Sequence, residues 1–206
     1  MGVVLSGVVL MWLSVAAALD AGDAAPAAVD VVTLAGRRQA IDMASPGQVT
    51  VVDFFATWCP HCRESSAAYD QVIAGLGDRV RIVVVDVEEQ PATVRRFFAA
   101  RRPPDGVTVV LDPTGSVVRG FGPKEFPSFY VLDQQGVVRH VLRGWGDDSA
   151  AALNSWAARI LEGPRAAAPG PRGKSQRSLR RAPPRPPPPT TSSDEHARQL
   201  GVEIVH

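Results

Sequence analysis

Val49–Phe55, VTVVDFF, is a nearly unbroken run of β-branched and aromatic residues, and Arg81–Val87, RIVVVDV, is another. Runs with so little alternation fit strands covered on both faces, in a sheet whose parallel neighbours are joined by helices. Tyr69, Val72, Ile73 and Leu76 recur at helical spacing, which predicts one helix that leaves the first strand, runs through Leu76 and ends at Gly77. After Pro91, Val94, Phe97 and Phe98 mark a second helix. A strand VTVVLD (107–112) and a turn at Pro113-Thr114-Gly115 follow; PSFYVLD and VVRHVLRGW are then joined as an antiparallel hairpin by Gln134-Gln135-Gly136. Upstream, DVVTL and RRQAIDM form an N-terminal hairpin across Ala35-Gly36. A last helix opens at Asp147-Asp148-Ser149 and carries Leu153, Trp156, Ala157 and Ile160 on one face. Together these elements predict a three-layer α/β domain over residues 29–162.

The two ends have different compositions. Residues 1–19, MGVVLSGVVLMWLSVAAAL, carry no charge and finish in Ala16-Ala17-Ala18, a small-residue cleavage pattern, although no lysine or arginine precedes the apolar run. They read as a signal peptide or, uncut, as a membrane anchor, since about 18 apolar residues suffice to span a bilayer. Residues 20–28 then read as a linker. At the other end, residues 163–193 hold nine of the 18 prolines and seven Lys or Arg, with no Asp or Glu. That composition predicts a disordered Pro/Arg-rich tail over 163–206, because it buries too little apolar surface to offset the entropy of ordering. Without the tail, residues 1–164 carry fourteen basic and eighteen acidic side chains, a net of minus four. The overall charge of +1 therefore conceals an acidic domain with a basic tail. The tail reads as a solvated linker, and no nucleic-acid partner is expected.

The chain has two cysteines, Cys59 and Cys62, both in Trp58-Cys59-Pro60-His61-Cys62. Disulfide staples in exported domains are usually spread out, and a bridge over two residues closes too small a loop to restrict the unfolded chain much. The pair therefore reads as reactive. A c-type haem would need histidine at position 63, where Arg63 stands. A structural zinc needs four ligands, and only His140 lies elsewhere in the folded region. Copper(I) held by both thiolates and a histidine stays open, because soft sulfur suits it. Placed where a strand meets a helix, a Cys59 thiolate would face the amides of the first helical turn, which favour negative charge by about 0.3–2 kcal/mol. Cys59 is then the nucleophile and Cys62, one turn further in, the resolving thiol. His61 would lower the Cys59 pKa further and give the pair oxidising character.

VVDFFATWCPHCRES, RIVVVDVEEQPATVRRFFAARR, VTVVLDPTGSVVRGFG and FPSFYVLDQQGVVRHVLRGW, in that order, resemble the thioredoxin superfamily, in particular its exported branch of TlpA/ResA-like thiol-disulfide oxidoreductases. The resemblance covers about residues 29–162. It implies a thioredoxin-like fold with a central mixed sheet flanked by helices, the N-terminal hairpin and a helix-strand insertion before Pro127. It also implies a redox-active Cys59–Cys62 disulfide, no cofactor and no metal. Pro127 matches the family's cis-proline, whose neighbouring backbone binds an extended substrate strand. Phe126 would shape that groove, Trp58 would cover its edge, and Pro60 and His61 would face the substrate. Asp53 matches the buried acid that moves the proton of the resolving cysteine; without such a role an unpaired carboxylate in that strand would be unfavourable. Implied partners are protein clients with thiols or disulfides and a membrane redox partner. The implied setting is exported, in the periplasm or on the extracytoplasmic face, with cytochrome c maturation among the roles. The branch often has an acid and a proline soon after the second cysteine; here Glu64-Ser65-Ser66-Ala67 stand instead. Pro60-His61 resembles DsbA-type oxidases, which leaves electron flow open between reductase and oxidase. About 30 mV, or 1.4 kcal/mol, decides such a balance.

Overall fold

Strand β3 (Val49–Phe55) is buried along its whole length and occupies the middle of the sheet, as its apolar run predicts. The computed structural model describes residues 17–87 and 89–163. Among them β4 (Val80–Val87) runs parallel to β3, with Asp53 opposite Val84 and Phe55 opposite Asp86, and β5 (Val107–Asp112) runs parallel to β4. On the other side of β3, β6 (Ser128–Leu132) and β7 (Val138–Arg143) form an antiparallel hairpin. β1 (Ala28–Thr33) and β2 (Arg38–Asp42) form the N-terminal hairpin, and β1 pairs antiparallel with β5. The order β2-β1-β5-β4-β3-β6-β7 makes one mixed sheet, with continuous apolar strands at the centre and alternating or exposed patterns in the N-terminal hairpin.

The two faces of this sheet carry different elements. Residues of one strand alternate between faces, so Asp53 and Phe55 share one and Val52 and Phe54 the other. On the Asp53 face Phe55 packs on Phe97 and Phe98 of helix α3 (Pro91–Ala100), while helix α5 (Ser149–Glu162) stacks Trp156 on His140 of β7. On the other face Phe54, Tyr130 and Phe121 form an aromatic cluster with centroids 5.1–5.7 Å apart. Phe121 belongs to helix α4 (Ser116–Phe121).

Three features depart from the sequence reading. The helix expected to run through Leu76 is broken into α1 (Pro60–Ser66) and α2 (Tyr69–Ile73), and Leu76 lies beyond both. The Ser65 and Ser66 hydroxyls donate back to the Cys62 and Arg63 carbonyls, a local alternative that competes with helix continuation. Past the break, Ala74 is extended, and the Asn154 side chain donates to the Val72 and Ala74 carbonyls that α2 leaves open. Helix α4 is an addition to what the pattern predicted. Its first amides, Ser116, Val117 and Val118, all donate to the Asp112 carboxylate at 2.9–3.0 Å, and Gly122, at φ 65°, closes it with a bond to Val118.

The third departure is the segment 20–28, read as a linker, which lies against the domain. Leu19 donates to Phe121, and Gly22 and Asp23 exchange bonds with Val138 at 2.8 and 2.9 Å. Asp20 pairs with Arg143 at 2.9 Å. β7 is an edge strand with free backbone groups, and this segment takes some of them. Just before it the chain passes close to the end of α4, where a Cβ on Gly122 would sit 2.8 Å from the Ala18 Cα. Residues 1–16, read above as part of an export segment, and 164–206, read above within the tail, lie outside the described residues. No helix among those described is long and apolar enough to cross a membrane.

Candidate active site

Cys59 ends the loop that leaves β3 and caps α1, with Pro60 in the first helical position, where its missing N–H is no loss. Cys59 and Cys62 form a disulfide with a Cα–Cα distance of 5.2 Å, and the Cys62 amide donates to the Cys59 sulfur at 3.2 Å. The sequence-expected asymmetry is present: Cys59 keeps 5% of its surface and Cys62 none. One helical amide already points at Cys59, so a thiolate released there gains a charge-assisted bond that the disulfide sulfur lacks.

The other wall of the site comes from the approach to β6. Phe126–Pro127 is a cis peptide bond, and the Phe126 carbonyl oxygen lies 3.7 Å from the Cys59 sulfur. Trp58, 64% exposed, meets Phe126 edge to face at 6.4 Å. Trp58, Cys59, Phe126 and Pro127 thus come together from segments almost 70 residues apart, with Pro60 exposed beside them. His61 turns away: its Nδ1 lies 3.0 Å from the Glu64 carboxylate, and both side chains are more than half exposed. The expected contact between His61 and Cys59 is replaced by this pair one helical turn on.

Behind the cysteines, Asp53 is fully buried. The Tyr69 hydroxyl, itself buried, donates to its Oδ2 at 2.6 Å, and Oδ1 has no partner among the described residues. Burial pushes the Asp53 pKa up to about 7, although the Tyr69 bond pulls it down. Burial, the Asp53 charge and the shared bond all push the Tyr69 pKa far up, so its proton stays on the phenol. The carboxyl is therefore the group in this pair that titrates near neutrality.

A second acid, Asp86, faces the same side of β4, next to Phe55 in register. It is 1% exposed, and neither carboxylate oxygen makes a full hydrogen bond among the described residues, although the Glu89 amide lies near enough to lower its proton affinity a little. Its neighbour is Glu89, whose oxygens accept from the Thr57 amide at 2.6 Å and the Thr57 hydroxyl at 2.5 Å. Two carboxyls bond each other only when a proton is held between them. Burial, with the Glu89 bond and charge behind it, pushes Asp86 up to about 8. Glu89 stays below the usual range: burial raises it, but the bonds to Asp86 and Thr57 outweigh that. This acid pair ties down Thr57, two residues ahead of Cys59.

Of the residues singled out in the sequence, the structure brings Trp58, Cys59, Cys62, Phe126 and Pro127 together and buries Asp53 in the adjoining strand; the sequence reading did not anticipate the contacts of Tyr69, Thr57, Asp86 and Glu89. Asp86 had a visible signal, since it interrupts an apolar strand run as Asp53 does. No three His, Cys, Asp or Glu side chains converge into a metal-ligand cluster among the described residues.

Known proteins agree with this geometry. The Redoxin family matches residues 20–154. The chain is 24% identical over 158 residues to the sporulation thiol-disulfide oxidoreductase A of Bacillus subtilis, covering 75% of this chain and 92% of that one. It is 23% identical over 109 residues to the thioredoxin-like protein YneN of the same organism, covering 53% of this chain and 64% of YneN. Among solved structures, a DsbE-type thiol:disulfide interchange protein from Chlorobium tepidum superposes with a TM-score of 0.61 at 28% identity, covering 70% of this chain and 99% of its own. With a helix-capping disulfide facing a cis-proline on a mixed sheet, the chain belongs to the Redoxin family, as a thioredoxin-like thiol-disulfide oxidoreductase.

Proposed function

We propose that the protein is exported and reduces the disulfides of protein clients in the TlpA/ResA manner. Cys59 attacks, Cys62 resolves, Asp53 takes the resolving proton, and the backbone before Pro127 aligns the client strand beside Trp58 and Phe126. The observation that carries this reading is the placement of the Cys59 sulfur, between the Cys62 amide of α1 and the Phe126 carbonyl. A client strand lying along Phe126–Pro127 would bring its own disulfide to the exposed side of that sulfur. The bond between His61 and Glu64 favours the reductase over a DsbA-like oxidase, because the imidazole is not aimed at the Cys59 thiolate that an oxidase must stabilise. The apolar stretch 1–19 supports the exported setting, with a membrane partner returning electrons to the pair.

Two measurements test the reading. Cys59→Ser should abolish turnover of an insulin-type disulfide, and unchanged turnover in that variant would sink it. A glutathione redox series should place the pair nearer the thioredoxin end, about −270 mV, than the DsbA end, about −120 mV. A potential at the DsbA end would reverse the direction while leaving the chemistry intact.

A further inference from the structure

Asp53 is held by one hydrogen bond, and the donor is a side chain that the spacing marked only as part of an apolar face. Tyr69 reaches Oδ2 at 2.6 Å from the helix that follows the cysteines, and both residues are buried. Oδ1 is equally buried and has no partner among the described residues. A buried carboxyl oxygen left in this condition is unfavourable, and a redox or catalytic role is one of the explanations such a group calls for.

We propose that Tyr69 is a positioning residue for the resolving step, its hydroxyl fixing Oδ2 of Asp53 so that Oδ1 is the one oxygen available to exchange a proton with Cys62. The inference rests on the reductase reading above. In the step itself Cys59 is joined to the client by a mixed disulfide. Oδ1 takes the proton from the Cys62 thiol, and the new Cys62 thiolate attacks the Cys59 sulfur. The Cys59–Cys62 bond forms as the bond from Cys59 to the client breaks. The client leaves as a thiolate and takes up a proton, so the client disulfide gains two electrons and the Cys59/Cys62 dithiol loses them.

The groups able to exchange protons on this side of the sheet include Tyr69 on α2, Cys59 and Cys62 on α1, Asp86 with Glu89, a diagonal step away at the end of β4, and His140 on β7, two strands from Asp53 under Trp156. β6 presents Phe129 opposite Asp53. No lysine, arginine or histidine charge contributes to the Asp53 proton affinity, which burial and the Tyr69 bond set between them. Tyr69 is therefore the available adjustment: a donor to the ionised carboxylate makes Asp53 a base at a lower pH than burial alone would allow.

The test uses the full chain, reduced, with 5,5′-dithiobis(2-nitrobenzoate) as the disulfide. Attack by Cys59 releases one coloured thiolate, and resolution by Cys62 releases a second. In the parent protein the second phase should quicken with pH as Asp53 ionises. Tyr69→Phe keeps the ring and removes the donor, so the rising limb should move up by about one pH unit or more, with resolution roughly tenfold slower on the acid side. The first phase should not change. Replacing both tyrosines with 3-fluorotyrosine, a stronger donor, should move the limb the other way without emptying the site. Tyr130 is a bystander in that experiment, since its hydroxyl donates to the Phe121 carbonyl on the opposite face. A coincident limb in all three proteins would overturn the proposal. Carboxyl 13C titration of Asp53 needs no turnover. It should show the same displacement, and an Asp53 titration indifferent to Tyr69→Phe would overturn the proposal even where the reductase reading stands. If the parent protein shows no second phase, the reductase reading fails instead.

Discussion

Four aspartates are buried in this domain, and they divide by region. Asp112 and Asp133 stand where β5 and β6 run out into turns, and their carboxylates are fully used. Asp112 accepts from three amides of α4; Asp133 accepts from the Gln135 and Val137 amides and from Arg139. Asp53 and Asp86 stand inside β3 and β4 beneath the cysteine loop. Among the described residues one has a single phenol donor, and the other has a neighbouring acid whose amide lies beside it without completing a bond. A carboxylate surrounded by N–H groups stabilises a turn. A carboxylate without them holds its proton until about neutral pH, and that is what proton exchange requires. Burial alone does not mark a functional acid; the donors around it do.

The largest effect that would break this division is on stability against pH. Asp53 binds its proton more tightly in the folded protein, with a pKa of about 7, than in the unfolded chain, at about 3.9. The folded state therefore holds more protons between those values. Stability from this group is fully present below about pH 4 and is lost as pH rises to about 7. Asp86, raised to about 8, acts in the same sense and extends the window upward. Asp53 alone accounts for a loss on the order of 4 kcal/mol at most. Denaturant unfolding of the oxidised protein, in which the cysteines do not titrate, should show this loss between pH 4 and 8, and Asp53→Asn should lack most of it. Equal slopes for the two proteins would place Asp53 with the turn aspartates.

Asp112→Ala probes the other class. It leaves three buried or half-buried amides of α4 without an acceptor, which should lower stability by about 2–3 kcal/mol at every pH from 5 to 8. Turnover per folded molecule should not change, since α4 lies on the face away from the cysteines. Urea unfolding alongside the insulin assay would check both. Loss of turnover in a folded Asp112→Ala protein would mean that the two faces are coupled.

The layout of these acids shows what the sequence could reveal. The β3 and β4 runs, the N-terminal hairpin and the placement of Cys59 at a strand-helix junction were legible because each depends on neighbours within a few residues. Asp53 and Pro127 were legible through resemblance. Tyr69 was not, because its bond to Asp53 spans 16 residues and its spacing matched an apolar helix face equally well. Thr57 and Glu89 meet across 32 residues with no local signature. The break between α1 and α2 depends on serine hydroxyls choosing backbone carbonyls, which a periodicity of apolar residues does not register. Residues 20–28 looked like a linker because alanine and glycine are read as lacking side chains to bury; their backbone was what docked.

The smallest of these effects sharpens the distinction within the cysteine-side pair. Glu89→Gln keeps one oxygen for Thr57 and replaces the other with an amide, so one of the two bonds to Thr57 is lost, a change of about 1 kcal/mol in stability at pH 7. The same amide gives Asp86 a side-chain donor. Asp86 no longer needs a shared proton, so its ionisation should fall back toward the ordinary carboxylate range, and the loss of stability between pH 7 and 8 should shrink. Stability measured at pH 5, 7 and 8 separates the two consequences: a uniform drop reports only the bond to Thr57, while a drop that narrows toward pH 8 reports the acid pair. In the second outcome Asp86 joins Asp112 as a satisfied carboxylate, and Asp53 remains the one acid under the cysteines whose proton is free to move.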